Sequence, residues 1–179
     1  MLIHAKKLIG LPILEGISGN KIAVIKNIIV DPENGKTLAF LMAQSFLGQK
    51  NRVVSFKDIL KIFADGVLIK DRENIINAKE VFKINEILDK KIFLIGSLVM
   101  TQNGQKIGFL EDFLLDIDFQ NILTLVVKKR FSTERRIISA ERILSILPGK
   151  IIIRDAILKA ELQKKLGALD RLLNRAVSS

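Results

Sequence analysis

The chain of 179 residues contains no cysteine, no tryptophan and no tyrosine, and it has one histidine, His4. Without cysteine it can form no disulfide, no thiolate metal site and no cysteine nucleophile. A single histidine excludes a two-histidine metal site within one chain. Because His4 stands at the start of the chain, we expect it to be solvated rather than to act as the base of a catalytic triad.

Long apolar runs are also missing, since none approaches the about 20 residues that a bilayer-spanning helix needs. Residues 8–14 are apolar, but Gly10 and Pro12 interrupt them and no small-residue cleavage site follows, so we expect this segment to belong to the fold rather than to a signal peptide. We therefore expect a cytoplasmic protein, with a peripheral position at the membrane as the alternative.

Hydrophobic residues and positive charge are abundant. The hydrophobic fraction is 49%, enough for a packed interior, and the net charge is +10. The basic excess is spread along the chain, which points to an acidic protein partner, an anionic lipid surface or nucleic acid. The alternative is a basic surface that serves solubility alone.

The most informative pattern is an internal repeat. Residues 19–31 return as residues 104–116, 85 positions later, and residues 52–62 return as 136–146, 84 positions later. A period of this length fits two copies of one small domain rather than a solenoid. It predicts four parts, namely a first copy 1–71, a packed connector 72–91, a second copy 92–155 and a C-terminal tail 156–179.

Each copy has the pattern of a small β-barrel. Apolar, β-branched segments flank a turn, which predicts a hairpin, and further short strands follow. Ser55 and Ser139 each precede a short helical turn and are suited to cap it. In the second copy, alternation predicts one strand face that carries Ile107, Phe109, Phe113 and Leu115.

The turn and core elements of the first copy resemble the PRC-barrel domain family. They are Gly19-Asn20-Lys21-Ile22, Asp31-Pro32-Glu33-Asn34-Gly35-Lys36, Val53-Val54-Ser55 with the following Phe56-Lys57-Asp58-Ile59-Leu60, and Asp65-Gly66-Val67-Leu68. That family includes the cytoplasmic domain of the photosynthetic reaction-centre H subunit and the C-terminal domain of a bacterial ribosome maturation factor. The resemblance implies a mainly β fold of two tandem small PRC-type β-barrels with short helical turns, and a docking module without shared catalytic residues. The second copy keeps the 103–108 motif but lacks the Pro and Gly of its turn, so its hairpin is expected to be irregular.

The tail predicts a C-terminal amphipathic α-helix, because its apolar residues follow heptad spacing. They are Leu162, Leu166, Leu169 and Leu173. Such a helix could pack on its own barrels, form a homo-oligomer or enter a partner's groove, or lie on an anionic membrane surface.

The densest charge lies in residues 128–136, with five basic side chains and one acidic one. We predict that this loop binds a partner, which could be the phosphates of RNA, an acidic protein or anionic lipid. The alternative is a solvated hairpin tip with Phe131 tucked back onto the barrel. The candidate residues are Lys128, Lys129, Arg130, Phe131, Arg135 and Arg136.

Carboxylates give little sign of chemistry. Asp31 and Asp116 occupy equivalent turns in separate copies, where an Asp side chain commonly organises the turn. Glu111 and Asp112 are successive strand residues, so they do not converge readily on a cation. We therefore predict no catalytic residue, no metal site and no cofactor. The expected function is a non-enzymatic adaptor that docks a protein partner, with a ribosome- or RNA-associated assembly factor as the alternative.

Overall fold

The computed structural model describes residues 1–16, 18–43 and 50–155, and strands dominate them. The strands in chain order are β1 Leu2–His4, β2 Pro12–Glu15, β3 Lys21–Val30, β4 Thr37–Met42, β5 Arg52–Ser55, β6 Ile59–Ile62, β7 Val67–Ile69, β8 Ile75–Asn77, β9 Leu98–Thr101, β10 Lys106–Asp116, β11 Asn121–Lys128, β12 Arg135–Ser139, β13 Ile143–Leu147 and β14 Lys150–Ile153. The α-helices are α1 Ala5–Leu8 and α2 Phe82–Asp89, and single 3₁₀ turns span Phe56–Asp58, Arg72–Asn74, Ala78–Glu80 and Ala140–Arg142. The mainly β prediction is confirmed, and the predicted C-terminal helix lies outside the described residues.

The strands form two seven-stranded sheets that share one strand order. The first sheet runs β6-β7-β2-β3-β4-β5-β8, and the second runs β13-β14-β9-β10-β11-β12 with β1 added on β10. In each sheet the first strand of the copy lies parallel to the last, β2 against β7 and β9 against β14. One sheet curls into a half-barrel. The repeated order follows from the repeated sequence, while two closed barrels remain a prediction.

The irregularities of the two sheets also repeat. The pairing of β3 with β4 shifts between Ile25 and Asn27, and that of β10 with β11 shifts between Leu110 and Asp112 at the equivalent place. Glu111 is the extra residue of the second bulge. Because a bulge reverses the alternation beyond it, Leu110, Phe113 and Leu115 are all buried and Phe109 is 38% exposed. The predicted face with Phe109 beside Phe113 is therefore wrong.

The capping and turn predictions are confirmed. The Ser55 hydroxyl accepts the backbone N–H of Lys57, and Ser139 accepts that of Glu141. Asp31 and Asp116 each accept the N–H of the residue two positions on, so each carboxylate organises its own turn.

The turn of the second copy does not show the irregularity expected at its missing glycine. Gln120, the counterpart of Gly35, holds a φ of 57° against the 71° of the glycine. The left-handed conformation is therefore kept without a glycine, at a cost of about 1 kcal/mol.

The two copies and the connector share one apolar core. β1 crosses to pair with β10, α1 lies against that same strand, and the Gln120 carbonyl accepts the N–H of Thr37 at 2.8 Å. In the connector, β8 pairs with the outer edge of β5, and the Lys83 ammonium lies 2.7 Å from the buried Asp31 carboxylate. All the buried apolar side chains of the described residues fall into a single cluster.

Candidate docking surface

The candidate surface is the basic turn, residues 129–134, together with the two strand ends that carry it. β11 and β12 pair antiparallel up to Lys128 opposite Arg135. Within the turn the Lys129 carbonyl accepts the Ser132 N–H at 3.2 Å, and the Ser132 hydroxyl accepts the Glu134 N–H at 3.0 Å. Local hydrogen bonds thus shape the tip of this hairpin.

Phe131 stands at the tip and is 95% exposed. Its φ of 58° is in the left-handed region, which is uncommon for a bulky side chain. The guanidinium of Arg130 lies 5.1 Å from the centre of its ring, within the range of a cation–π contact. The alternative in which Phe131 tucks back onto the barrel is therefore wrong.

Arg135 is anchored by Glu111, the residue that the bulge adds to β10. The guanidinium makes two hydrogen bonds to this carboxylate, one of them 3.2 Å long, and the Lys6 ammonium lies 3.6 Å from the same group. The Arg135 hydrogen bonds, opposed by desolvation and helped by the charges of Lys6 and Lys128, lower the pKa of Glu111 to about 2. The carboxylate in turn raises the pKa of Arg135.

The remaining cations of the loop fall into two groups. Arg136 lies 3.2 Å from the carboxylate of Glu134. Lys128, Lys129 and Arg130 form no ion pair with any residue that the structure describes. Three cations and one exposed ring are therefore presented together at the end of the second sheet.

The other side chains singled out from the sequence lie elsewhere. Leu162, Leu166, Leu169 and Leu173 lie outside the described residues. His4 is not simply solvated, because its Nδ1 lies 3.0 Å from a carboxylate oxygen of Asp112. Asp112 also accepts the Lys6 N–H at 3.0 Å.

No cation site is evident in the described part of the chain. It holds no group of three or more His, Cys, Asp or Glu side chains placed to bind a metal ion. It also has no helix that is long and apolar enough to cross a membrane.

Sequence reasoning missed one feature of this surface, the outer edge of β12. Ile137 in the middle of that strand is 77% exposed, although it is a branched apolar residue in a repeated core motif. Val53, its counterpart in the first copy, is fully buried. The feature of the sequence that could have indicated this difference is the connector, which follows the first copy and supplies β8 to pair with the equivalent edge of β5.

Comparison with known proteins gives one family. The family model of the PRC-barrel domain matches residues 1–75, which comprise the first copy and the start of the connector. A search of curated proteins finds no match. Membership of the second copy in the same family remains a prediction. Residues 1–75 are thus similar to the PRC-barrel domain, a domain type found in various binding and assembly roles.

Proposed function

We propose that this protein is a non-enzymatic, cytoplasmic adaptor that docks an acidic partner protein through the basic turn of its second, PRC-type copy. The observation that carries the proposal is Phe131, which is 95% exposed and lies against the guanidinium of Arg130, a cation that forms no ion pair with a described residue. An aromatic side chain surrounded by charge matches the apolar centre and polar rim of protein interfaces. The predicted tail helix would supply a second contact.

RNA binding is the second candidate, because an exposed ring beside Arg130 can stack on a base. Phosphate binding depends on the number of free cations. Two of the five cations in residues 128–136 already hold carboxylates, Arg135 with Glu111 and Arg136 with Glu134. Acidic side chains placed within the surface weaken its attraction for any polyanion, so we favour a protein partner because the exposed ring can form the apolar centre of an interface.

Site-specific photo-crosslinking tests the proposal. A photoreactive phenylalanine analogue replaces Phe131 in the full-length chain, which is irradiated in lysate of the source cells with and without nuclease. The matched control carries the analogue at Phe119, which is 72% exposed in the β10–β11 turn of the same sheet. We expect a discrete protein adduct at position 131 that survives nuclease and is absent at position 119.

Charge reversal supplies the second arm of the test. Lys129→Glu with Arg130→Glu should abolish the adduct, while Lys57→Glu with Lys150→Glu, two exposed lysines away from the turn, should keep it. An adduct that disappears with nuclease would move the assignment to RNA. Adducts formed equally at positions 119 and 131 would exclude the basic turn as the docking surface.

A further inference from the structure

The first copy shows how an extended segment attaches to the strand that precedes the 3₁₀ turn. β8 pairs antiparallel with the outer edge of β5, with Ile75, Ile76 and Asn77 opposite Val54, Val53 and Arg52. The Asn51 carbonyl accepts the Ala78 N–H at 2.8 Å, and the Arg52 guanidinium donates to the Ile75 carbonyl. Val53 and Val54 are fully buried beneath this added strand.

β12 is the counterpart of β5, and its outer edge pairs with no strand among the described residues. Arg136, Ile137 and Ile138 stand 84 positions after Arg52, Val53 and Val54. Ile137 is 77% exposed where Val53 is fully buried. An open edge strand presents unpaired backbone N–H and carbonyl groups, which another extended chain can pair.

The charge around β12 indicates which chain would do so. Arg135 and Arg136 lie on the strand itself, and Lys128 lies opposite Arg135 at the end of β11. Lys129 and Arg130 lie in the turn that precedes β12. A second copy paired antiparallel about Ile137 would place its Ser139 and Ile138 opposite Arg135 and Arg136, so it would supply no opposite charge. An acidic segment would instead place carboxylates beside these cations and could still form backbone hydrogen bonds with the outer edge of β12.

The β8 arrangement also fixes the direction of the added strand. Because β8 runs antiparallel to β5, its C-terminal residue Asn77 lies at the start of β5. A segment added to β12 in the same way places apolar residues opposite Ile138 and Ile137. Its following residues run past Arg136 and Arg135 towards the basic turn, so its acidic residues belong on the C-terminal side.

We propose that the outer edge of β12 accepts an extended segment of a partner protein as an additional antiparallel strand, with branched apolar residues followed by acidic ones. This is the β-augmentation mode of peptide recognition. The inference rests on the proposed adaptor function and adds the chemistry and direction of the segment that is bound.

Three labelled peptides of equal charge test it against the full-length chain. The forward peptide is Gly-Ser-Ile-Ile-Asp-Glu-Glu-Asp, and the second has the order Gly-Ser-Asp-Glu-Glu-Asp-Ile-Ile. The third is the forward peptide with alternate backbone amides methylated, which removes its strand-pairing donors. We expect the forward peptide to bind about tenfold more tightly than either control, as judged by fluorescence polarisation.

Hydrogen exchange and one variant locate the contact. The forward peptide should slow exchange of the amides of residues 135–139 and leave those of residues 52–55 unchanged. Ile137→Asn should lower its affinity several-fold, whereas Leu60→Asn, at a 60% exposed position in the edge strand β6, should not.

Four results would overturn the inference. Equal binding of the methylated peptide would leave a purely electrostatic contact, in which case the proposed function stands without strand addition. Capture of a partner at position 131 with no binding of the forward peptide would likewise leave the proposed function standing without strand addition. Amides of β12 that are as protected as those of β5 in the free protein would show that the chain covers its own edge, and self-association through β12 would make a second copy the occupant.

Discussion

At the scale of single residues, two differences between the copies create an ion pair beside the basic turn. Glu111 occupies the bulge of β10, and its counterpart in β3 is the exposed Lys26. Arg135 corresponds to Asn51, so the first copy has neither member of the Glu111–Arg135 ion pair. The pair holds the first residue of β12 against β10, while Lys129 and Arg130 form no ion pair with a described residue. Glu111 therefore fixes the position of Arg135 within this surface.

The Glu111–Arg135 pair makes stability depend on pH in a defined window. The pKa of Glu111 is about 2 in the folded chain and 4.5 without its partners. A carboxyl group with a lowered folded pKa contributes stability that is complete above its unfolded pKa and is lost as pH falls through the folded value. Between pH 4.5 and 2 the wild-type chain should thus lose more stability than Glu111→Gln does.

Urea unfolding followed by circular dichroism at a series of pH values measures this difference, since the chain has no tryptophan or tyrosine to report by fluorescence. Glu134→Gln is the control, because Glu134 also binds an arginine but at an exposed position within the turn. The prediction fails if Glu111→Gln and the wild type lose stability in parallel over this range.

At the scale of elements, the contact between β10 and β11 depends on a glycine. A Cβ atom at Gly108 would lie 2.5 Å from the backbone carbonyl oxygen of Lys128. The partner atom belongs to the backbone of β11 and cannot rotate away, so Gly108→Ala must separate the strands where they lead into the basic turn. We expect a loss of about 2–3 kcal/mol in the free energy of unfolding.

Gly104→Ala is the matched control for this substitution. Gly104 has a φ of 86°, but no atom lies within 4 Å of the position that a Cβ atom would occupy. Its replacement should cost only the about 1–2 kcal/mol of a left-handed backbone. Equal losses for the two variants in urea unfolding would show that backbone conformation, and not the approach of β11, sets the cost at Gly108.

At the scale of the whole molecule, the repeat predicted two copies with the same succession of strands but not how the copies join. The 84–85-residue offset, Ser55, Ser139 and the two turn aspartates all indicated features that the structure shows. The bulge at Glu111 was not foreseen, because a bulge inserts a residue without a change in composition. The open edge of β12 was also missed, since the sequence of a strand does not tell which of its edges is covered.

The crossing of β1 and α1 to the second sheet was equally invisible in the sequence. The sequence predicts a first copy of residues 1–71 and includes residues 1–8 in it because they precede its repeated motifs. In the structure α1 lies against β10 and its apolar residues are buried. A four-residue helix carries too short a pattern to name the sheet that it will meet. Partner choice of this kind depends on contacts distant in sequence, which local periodicity does not encode.

The crossing predicts that both sheets unfold together. Leu8 of α1 is fully buried within the single apolar cluster that contains core residues of both copies. Leu8→Ala should cost about 2–4 kcal/mol through lost burial and the cavity that remains. Because the cluster is continuous, the loss should appear as one shifted unfolding transition, with faster hydrogen exchange in β3 and β4 as well as in β10 and β11.

Leu60→Ala, at a 60% exposed position, is the control and should shift the midpoint of unfolding little. Two separate transitions, or faster exchange confined to the second sheet, would show instead that the copies are independent units, and that an adaptor built on this fold could move its two surfaces relative to each other.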